Sequence, residues 1–212
     1  MSEFTAEDVE IIEKTTPYRG YFRIDRYRVR HRLHDGGWSQ AMTREVFERG
    51  HAAAVVPYDP ARDTVVLIEQ FRIGALAAGR RPWLVEVIAG IIEPGEDPAN
   101  VVRREATEEA GCSIEGLELI GTVLLTPGGS SETLALYCGR VDSGGLGGVH
   151  GKVDEGEDIR VLVMPLDEAL GLLASCRIVN ANAVMALQWL ALNRAELRRR
   201  WAADVTLRPQ SP

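Results

Sequence analysis

Three glutamates at helical spacing, Glu105, Glu108 and Glu109, are the residues of this sequence best suited to carry chemistry. On an α-helix, side chains three or four positions apart are neighbours, about 5–6 Å apart at their β-carbons, so these carboxylates converge. Like charges this close repel one another unless something positive lies between them. Mg²⁺ prefers oxygen ligands of this kind and often shares them with substrate phosphates. Considered alone, the spacing also fits a solvated helix whose acids form salt bridges with Arg103 and Arg104.

The segment that carries these acids has clear signals for the start and the end of a helix. Asp97 suits the N-cap, Pro98 suits the first helical position and Gly111 suits the end. A line of small apolar residues marks another face of the helix: Val102, Ala106 and Ala110. We therefore predict a helix that docks on a sheet through this apolar line and directs its acids outward.

The remaining elements predict a sheet that is covered by helices. From residue 51 onward, nearly continuous apolar runs are typical of strands that are buried on both faces. These runs are Ala52–Val56, Thr64–Ile68, Trp83–Ile88, Leu117–Ile120, Leu134–Tyr137 and Ile159–Val163. Two further helices are predicted, one from Leu166 to about Ser175 and one from about Asn180 to Arg200.

The N-terminal part of the chain has a different texture. Within residues 7–33 apolar and polar side chains alternate, which indicates a small antiparallel sheet. The predicted fold class is therefore α/β, with a mixed sheet between helices and an additional N-terminal antiparallel sheet. We predict a segment of residues 1–50 followed by a domain of residues 51–212. The glycine-rich stretch 143–148 is interpreted as a mobile loop.

Composition excludes several classes of protein. The 212 residues carry 24 Lys and Arg against 31 Asp and Glu, a net charge of -7, which argues against binding nucleic acid through its phosphates. The three cysteines are widely separated and form no C-x-x-C pair, so neither a disulfide framework nor a zinc site is indicated. No apolar run approaches the roughly 18–20 residues needed to cross a bilayer. We expect a cytoplasmic protein that binds neither nucleic acid nor membrane.

Residues 90–112 resemble the signature of the Nudix hydrolase family. The pattern G-x5-E-x7-R-E-U-x-E-E-x-G-U, where U is apolar, is matched throughout by Gly90, Glu96, Arg104–Ala106, Glu108–Glu109 and Gly111–Cys112. The resemblance implies an α/β/α sandwich with a mixed sheet, and hydrolysis of a nucleoside diphosphate linked to another group. Pro127, sixteen residues after Gly111, resembles a marker of the bacterial ADP-ribose pyrophosphatases.

The resemblance also implies a set of metal ligands and catalytic residues. Glu105, Glu108, Glu109 and the backbone carbonyl of Ala89 would bind Mg²⁺, for which Mn²⁺ can substitute. Arg104 and Glu96 would orient these carboxylates.

The general base is assigned to a later acidic loop. In bacterial relatives of this type the resemblance makes Glu155 the base and Glu157 a metal contact. Glu108 on the predicted helix is the alternative base, and a merely solubilising role of residues 154–158 is a further alternative.

Substrate contacts and assembly follow from the same resemblance. Arg72 and Glu132 would hold the phosphates or the terminal ribose, and Arg44 with Tyr21 or Phe22 would contact the adenine. The N-terminal sheet would be exchanged across a homodimer, so that two subunits share the adenine site. The implied reaction converts ADP-ribose to AMP and ribose 5-phosphate. A GDP-mannose or ADP-sugar pyrophosphatase and a non-catalytic nucleotide-sensing module are the alternatives.

Overall fold

The structure is a computed structural model that describes residues 4–152 and 156–206, with side chains through residue 201. The chain divides into two compact units, one of Met1–His51 with Leu124–Thr133 and the other of Ala52–Val123 with Leu134–Pro212. We call them the N-terminal unit and the larger unit. The segment 124–133 groups with the N-terminal residues, although the sequence boundary near residue 50 places it in the later domain.

The N-terminal unit contains the predicted antiparallel sheet. A short 3-10 helix at Ala6–Asp8 precedes strands β1 (Val9–Arg19), β2 (Arg23–His31) and β3 (Met42–Glu48), which pair in the order β1-β2-β3. The segment 124–133 joins this unit because the Phe47 N–H donates to the Gly129 carbonyl at 2.8 Å and the Ser130 hydroxyl donates to the Phe47 carbonyl.

The larger unit is built on a mixed sheet, which has eight strands within the described residues. Six of its strands run in the order β10-β11-β5-β4-β9-β8, with β6 paired to β5 and β7 paired to β4. The strands are β4 (His51–Asp59), β5 (Thr64–Phe71), β6 (Trp83–Glu86), β7 (Ile88–Ile92), β8 (Gly116–Leu124), β9 (Thr133–Arg140), β10 (Gly148–His150) and β11 (Ile159–Pro165). The sheet is mixed because β4 runs parallel to β9 and antiparallel to β5. Every predicted apolar run is a strand here, except that Trp83–Ile88 divides between β6 and β7.

In the part of the chain that the structure describes, four α-helices accompany this sheet: α1 (Ile73–Ala77), α2 (Pro98–Ala110), α3 (Leu166–Ala174) and α4 (Ala181–Thr206). Three of them match the predicted helices closely. The apolar line Val102, Ala106 and Ala110 of α2 is fully buried against strand residues such as Val66 and Ile68. This packing fixes α2 on the sheet and therefore fixes the direction of its acids. Within the described residues, no helix is long and apolar enough to span a membrane.

The glycine-rich stretch differs from the predicted mobile loop because both of its ends are anchored. The backbone N–H and the hydroxyl of Ser143 both donate to the buried carboxylate of Asp59, at 2.9 and 2.8 Å. Leu146 packs against the core, and Gly148 begins β10, which pairs with β11. Composition predicts flexibility here, but these contacts with distant residues hold the segment in place.

Candidate metal-binding active site

Helix α2 begins and ends where its sequence signals indicate. The Asp97 carboxylate accepts a hydrogen bond from the Ala99 N–H at 3.0 Å, which satisfies one of the free donors of the first turn. Gly111 adopts a left-handed conformation with φ of 60°, where a side chain would be strained. These two local features set the length of the helix and thereby the positions of its acids.

Glu105 lies directly against the backbone of β7. A β-carbon added at Gly90 would lie 2.0 Å from Glu105 Oε1, so this position must lack a side chain for the glutamate to occupy its place. Partial burial raises the pKa of Glu105, while the neighbouring Arg104 opposes that effect.

Glu109 is buried, contrary to the prediction that all acids of the helix point outward. The residue is 4% exposed, and its carboxylate accepts a hydrogen bond from the Ala89 N–H at 3.2 Å. Burial is the main cause that raises the pKa of Glu109 to about 8, and the charge of Glu105 adds to it. Glu109 lies on the same side of α2 as the buried apolar residues Ala106 and Ala110, so its side chain faces the sheet. The Ala89 N–H of β7 is the donor that it meets there.

Arg104 connects three of the predicted acids. Its Nη1 atom lies 2.7 Å from Glu105 Oε1 and 3.2 Å from Glu108 Oε2, and its Nε atom lies 3.4 Å from Glu96 Oε1. The other oxygen of Glu96 accepts from the Glu93 N–H at 3.2 Å, which ties this acid to the turn before the helix. The orienting roles of Arg104 and Glu96 stay predictions, for which these contacts are available.

A lysine that the sequence analysis did not single out also contacts the acids. Lys152 Nζ lies 3.0 Å from Glu108 Oε2, and this contact helps to lower the pKa of Glu108 although partial burial acts against it. The Lys152 N–H donates to Glu157 Oε2 at 2.9 Å, and the charge of Glu157 contributes to the raised pKa of Glu109. The larger unit thus brings Glu157 near the acids of α2. Glu155, the predicted base, lies outside the described residues.

Arg72 is held by a second residue that sequence reasoning missed. Its Nε atom donates to Glu86 Oε2 at 2.9 Å, and its Nη2 atom lies 2.8 Å from the same oxygen. Its charge also lowers the pKa of Glu109, against the larger effect of burial, so Arg72 lies near the acids. Glu86 did not stand out in the sequence because it is the last residue of β6, whose three preceding residues are apolar.

The other predicted substrate contacts belong to the N-terminal unit. The Phe22 ring packs edge-on against Phe47 at 4.9 Å, while the neighbouring Tyr21 is 86% exposed. Arg44 is exposed on β3. Glu132 is buried within this unit, and its partner is Arg49, whose Nη1 lies 3.2 Å from Glu132 Oε1. The roles of these residues stay predictions.

Comparison with known proteins decides which family this arrangement belongs to. The family model of the NUDIX domain matches residues 48–206, which includes all of α2 and the strands that hold it. The chain belongs to the Nudix family.

Two relatives and one solved structure are similar to most of this chain. The ADP-ribose pyrophosphatase of Escherichia coli is 48% identical over 199 residues, which is 94% of this chain and 95% of that protein. The GDP-mannose pyrophosphatase of Pectobacterium atrosepticum is 31% identical over 181 residues, 85% of this chain and 92% of that protein. A crystal structure of an ADP compounds hydrolase has a TM-score of 0.68 at 20% identity and covers 93% of this chain and 98% of that one. The shared fold confirms the predicted fold class.

The Nudix acids fit a hard divalent cation in chemistry, although the described residues form no ready-made cluster of three acidic, histidine or cysteine ligands. Glu105 and Glu108 are instead paired with Arg104, and Glu108 also with Lys152. Glu109 remains buried beside a like charge, and among the described residues it has one backbone donor. The three glutamates all offer carboxylate oxygen, the ligand type that Mg²⁺ prefers. A cation bound by Glu105 and Glu109 would offset their repulsion.

Proposed function

We propose that this Nudix protein is a Mg²⁺-dependent hydrolase that uses water to cleave ADP-ribose into AMP and ribose 5-phosphate. The observation that carries the proposal is the 48% identity, over nearly the whole chain, to an ADP-ribose pyrophosphatase. The complete set of acids on α2 supports a catalytic protein over a nucleotide-sensing module. Hydrolysis of GDP-mannose is the second candidate, since a GDP-mannose pyrophosphatase is 31% identical.

The proposed roles of the acids come from the resemblance to the Nudix pattern. Glu105, Glu109 and the Ala89 carbonyl would bind Mg²⁺, with Glu108 and Glu157 as further ligands. When bound, the cation would neutralise phosphate charge and lower the pKa of a coordinated water. Arg104 keeps Glu105 and Glu108 oriented and partly offsets their repulsion, and Glu96 restrains Arg104 in turn.

Glu155 is the proposed general base, and Glu108 is its competitor. A base that acts on the attacking water should affect turnover more than substrate binding. We expect Glu155→Gln to lower kcat by roughly 10²–10⁴-fold with little change in KM. Normal kcat in Glu155→Gln combined with an inactive Glu108→Gln would assign the base to α2 instead.

The substrate would be held by Arg72 and Glu132 at the phosphates or the terminal ribose, and by Arg44 with Tyr21 or Phe22 at the adenine. Arginine suits both phosphate binding and stacking on an aromatic base. We further propose that a homodimer provides the complete adenine site, with the N-terminal sheets exchanged between subunits.

A substrate panel with product identification tests the proposed function. ADP-ribose, GDP-mannose, ADP-glucose, NADH and diadenosine polyphosphates would be compared by kcat/KM in millimolar Mg²⁺, with and without EDTA. We expect the highest kcat/KM for ADP-ribose, AMP and ribose 5-phosphate as products, and no turnover in EDTA. A preference for GDP-mannose would favour the second candidate, and full activity without metal would contradict the mechanism.

A further inference from the structure

Glu86 is a buried carboxylate at the end of β6 whose two oxygens both have partners. Its side chain is only 4% exposed. Oε2 accepts from Arg72 Nε at 2.9 Å and lies 2.8 Å from Arg72 Nη2, and Oε1 accepts from Asn180 Nδ2 at 2.8 Å. A buried charge is costly unless it is paired and hydrogen-bonded in this way. Residues 72, 86 and 180 therefore form one connected group.

Asn180 has a second role at the start of α4. Its Oδ1 atom accepts from the N–H groups of Asn182 and Ala183, at 3.0 and 3.2 Å, which is the geometry of an N-cap. The cap fixes the amide oxygen on the helix, so the amide nitrogen points to Glu86 with little freedom. The direction of Glu86 is thereby linked to the position of α4.

One edge of the Arg72 guanidinium group is paired with Glu86, which leaves the N–H donors of the other edge for a ligand. A guanidinium group has five N–H donors in a rigid plane, and two nitrogens of Arg72 are directed at Glu86 Oε2. Within the described residues no carboxylate other than Glu86 is paired with Arg72, whose side chain is 43% exposed. Restraint of one edge of the plane therefore sets the direction of the donors that remain.

We propose that Glu86 and Asn180 are positioning residues, which hold the Arg72 guanidinium in the orientation that receives a phosphate oxygen or ribose hydroxyl of the substrate. The inference rests on the proposed function, because it takes Arg72 as a substrate contact. It extends that function by placing two buried residues, one at the end of β6 and one before α4, in control of substrate affinity. Neither residue would touch the substrate itself.

The main test is the Glu86→Gln variant. It keeps the shape of the side chain and an acceptor for Arg72 but loses the charge that draws the guanidinium. Since small misplacements of a binding group can cost on the order of 10²-fold, we expect kcat/KM for ADP-ribose to fall roughly 10–100-fold, mainly through KM. Glu69→Gln is the matched control. Glu69 lies on the adjacent strand β5 and is the partner of a different arginine, Arg81. The control should stay within about twofold of wild type.

A double-mutant cycle distinguishes positioning from general damage to the fold. Arg72→Lys keeps a charge but loses the planar fork, so Glu86 should have little left to orient. If Glu86 acts through Arg72, adding Glu86→Gln to Arg72→Lys should change kcat/KM by less than about threefold. Independent, multiplying effects of the two changes would overturn the proposal.

Asn180→Ser provides a second variant in case Glu86→Gln folds poorly. Serine preserves the N-cap of α4 but removes the donor to Glu86. We expect KM for ADP-ribose to rise roughly 3–10-fold at unchanged kcat, with a lower melting temperature because one buried hydrogen bond is lost. A normal KM in this variant, with a normal KM in Glu86→Gln, would refute the positioning role while wild-type turnover still supports the proposed function. A wild-type protein that hydrolyses no nucleotide would refute both.

Discussion

Burial of Glu109 opposes the ionised form of its carboxylate, which is the form that would bind a metal ion. Its raised pKa of about 8 means that the folded, metal-free protein holds a proton that the unfolded chain releases near pH 4.5. Stability linked to this group is therefore complete below pH 4.5 and is lost as the pH rises toward 8. A bound divalent cation would reverse this loss by stabilising the ionised form.

The Glu109→Gln variant should separate the structural cost of this acid from its catalytic use. In metal-free buffer we expect its melting temperature to exceed that of wild type by a margin that grows between pH 5 and pH 8, because glutamine has no proton to lose. Addition of Mg²⁺ at pH 8 should stabilise wild type more than the variant. Thermal unfolding at several pH values measures both effects, and a variant less stable than wild type throughout would contradict them.

Both Glu105→Gln and Glu109→Gln should lose most of kcat, since each removes a proposed metal ligand. Circular dichroism should remain that of wild type, because these acids repel each other in the metal-free fold. Turnover near the wild-type rate in either variant would remove that glutamate from the metal site.

Gly90 provides a more specific test of the position of Glu105. In Gly90→Ala the new methyl group would meet the Glu105 side chain, with atoms at 2.0 to 2.5 Å, so the carboxylate must move. We expect kcat to fall by on the order of 10²-fold and the Mg²⁺ concentration for half-maximal activity to rise. Gly121→Ala is the control, because a methyl group there meets nothing within 4 Å. Equal activity of the two variants would show that the position of Glu105 is not critical.

At the scale of the element, the boundary residues of α2 are expected to affect stability more than chemistry. Asp97→Ala removes the N-cap acceptor of Ala99 and should reduce the free energy of unfolding by about 1 kcal/mol. For a chain of this size the melting temperature should fall by roughly 2–4 °C, with kcat little changed. Asp97→Asn retains the acceptor and should behave like wild type in the same unfolding experiment. A large loss of kcat in Asp97→Ala at unchanged stability would mean that Asp97 acts in the site.

At the scale of the whole molecule, strand β1 supports the proposed homodimer. All eleven of its residues are exposed, although Val9, Ile11 and Ile12 are apolar, with Ile11 at 59%. A long apolar edge strand is a pairing surface that proteins normally cover. A second subunit would supply that cover.

Sedimentation velocity tests the dimer, and Ile11→Asp should weaken it. We expect wild type to sediment as a dimer and the variant to shift toward monomer, with a higher KM for ADP-ribose because the adenine site would be incomplete. Thr15→Asp adds the same charge at a polar position of β1 and should remain dimeric. A fully active wild-type monomer would refute the shared adenine site.

The sequence alone determined the elements that depend on local chemistry. The bounds of α2 follow from the cap at Asp97, the proline after it and the left-handed Gly111. Each of these signals acts locally, within one turn of the helix end at which it lies. The apolar runs identified the buried strands because burial on both faces requires such residues. The whole pattern of residues 90–112, with its glycines, arginine and glutamates at fixed positions, indicated the Nudix family.

Only the tertiary structure decided which polar and charged side chains contact one another. Glu109 is buried because β7 covers its side of α2, and Glu86 meets Asn180 across 94 positions of the chain. The contact of Lys152 with Glu108 and the anchoring of Ser143 on Asp59 likewise join distant residues. Such pairings depend on strand order and helix packing, which are set by the whole core. Composition and local spacing contain no information about them.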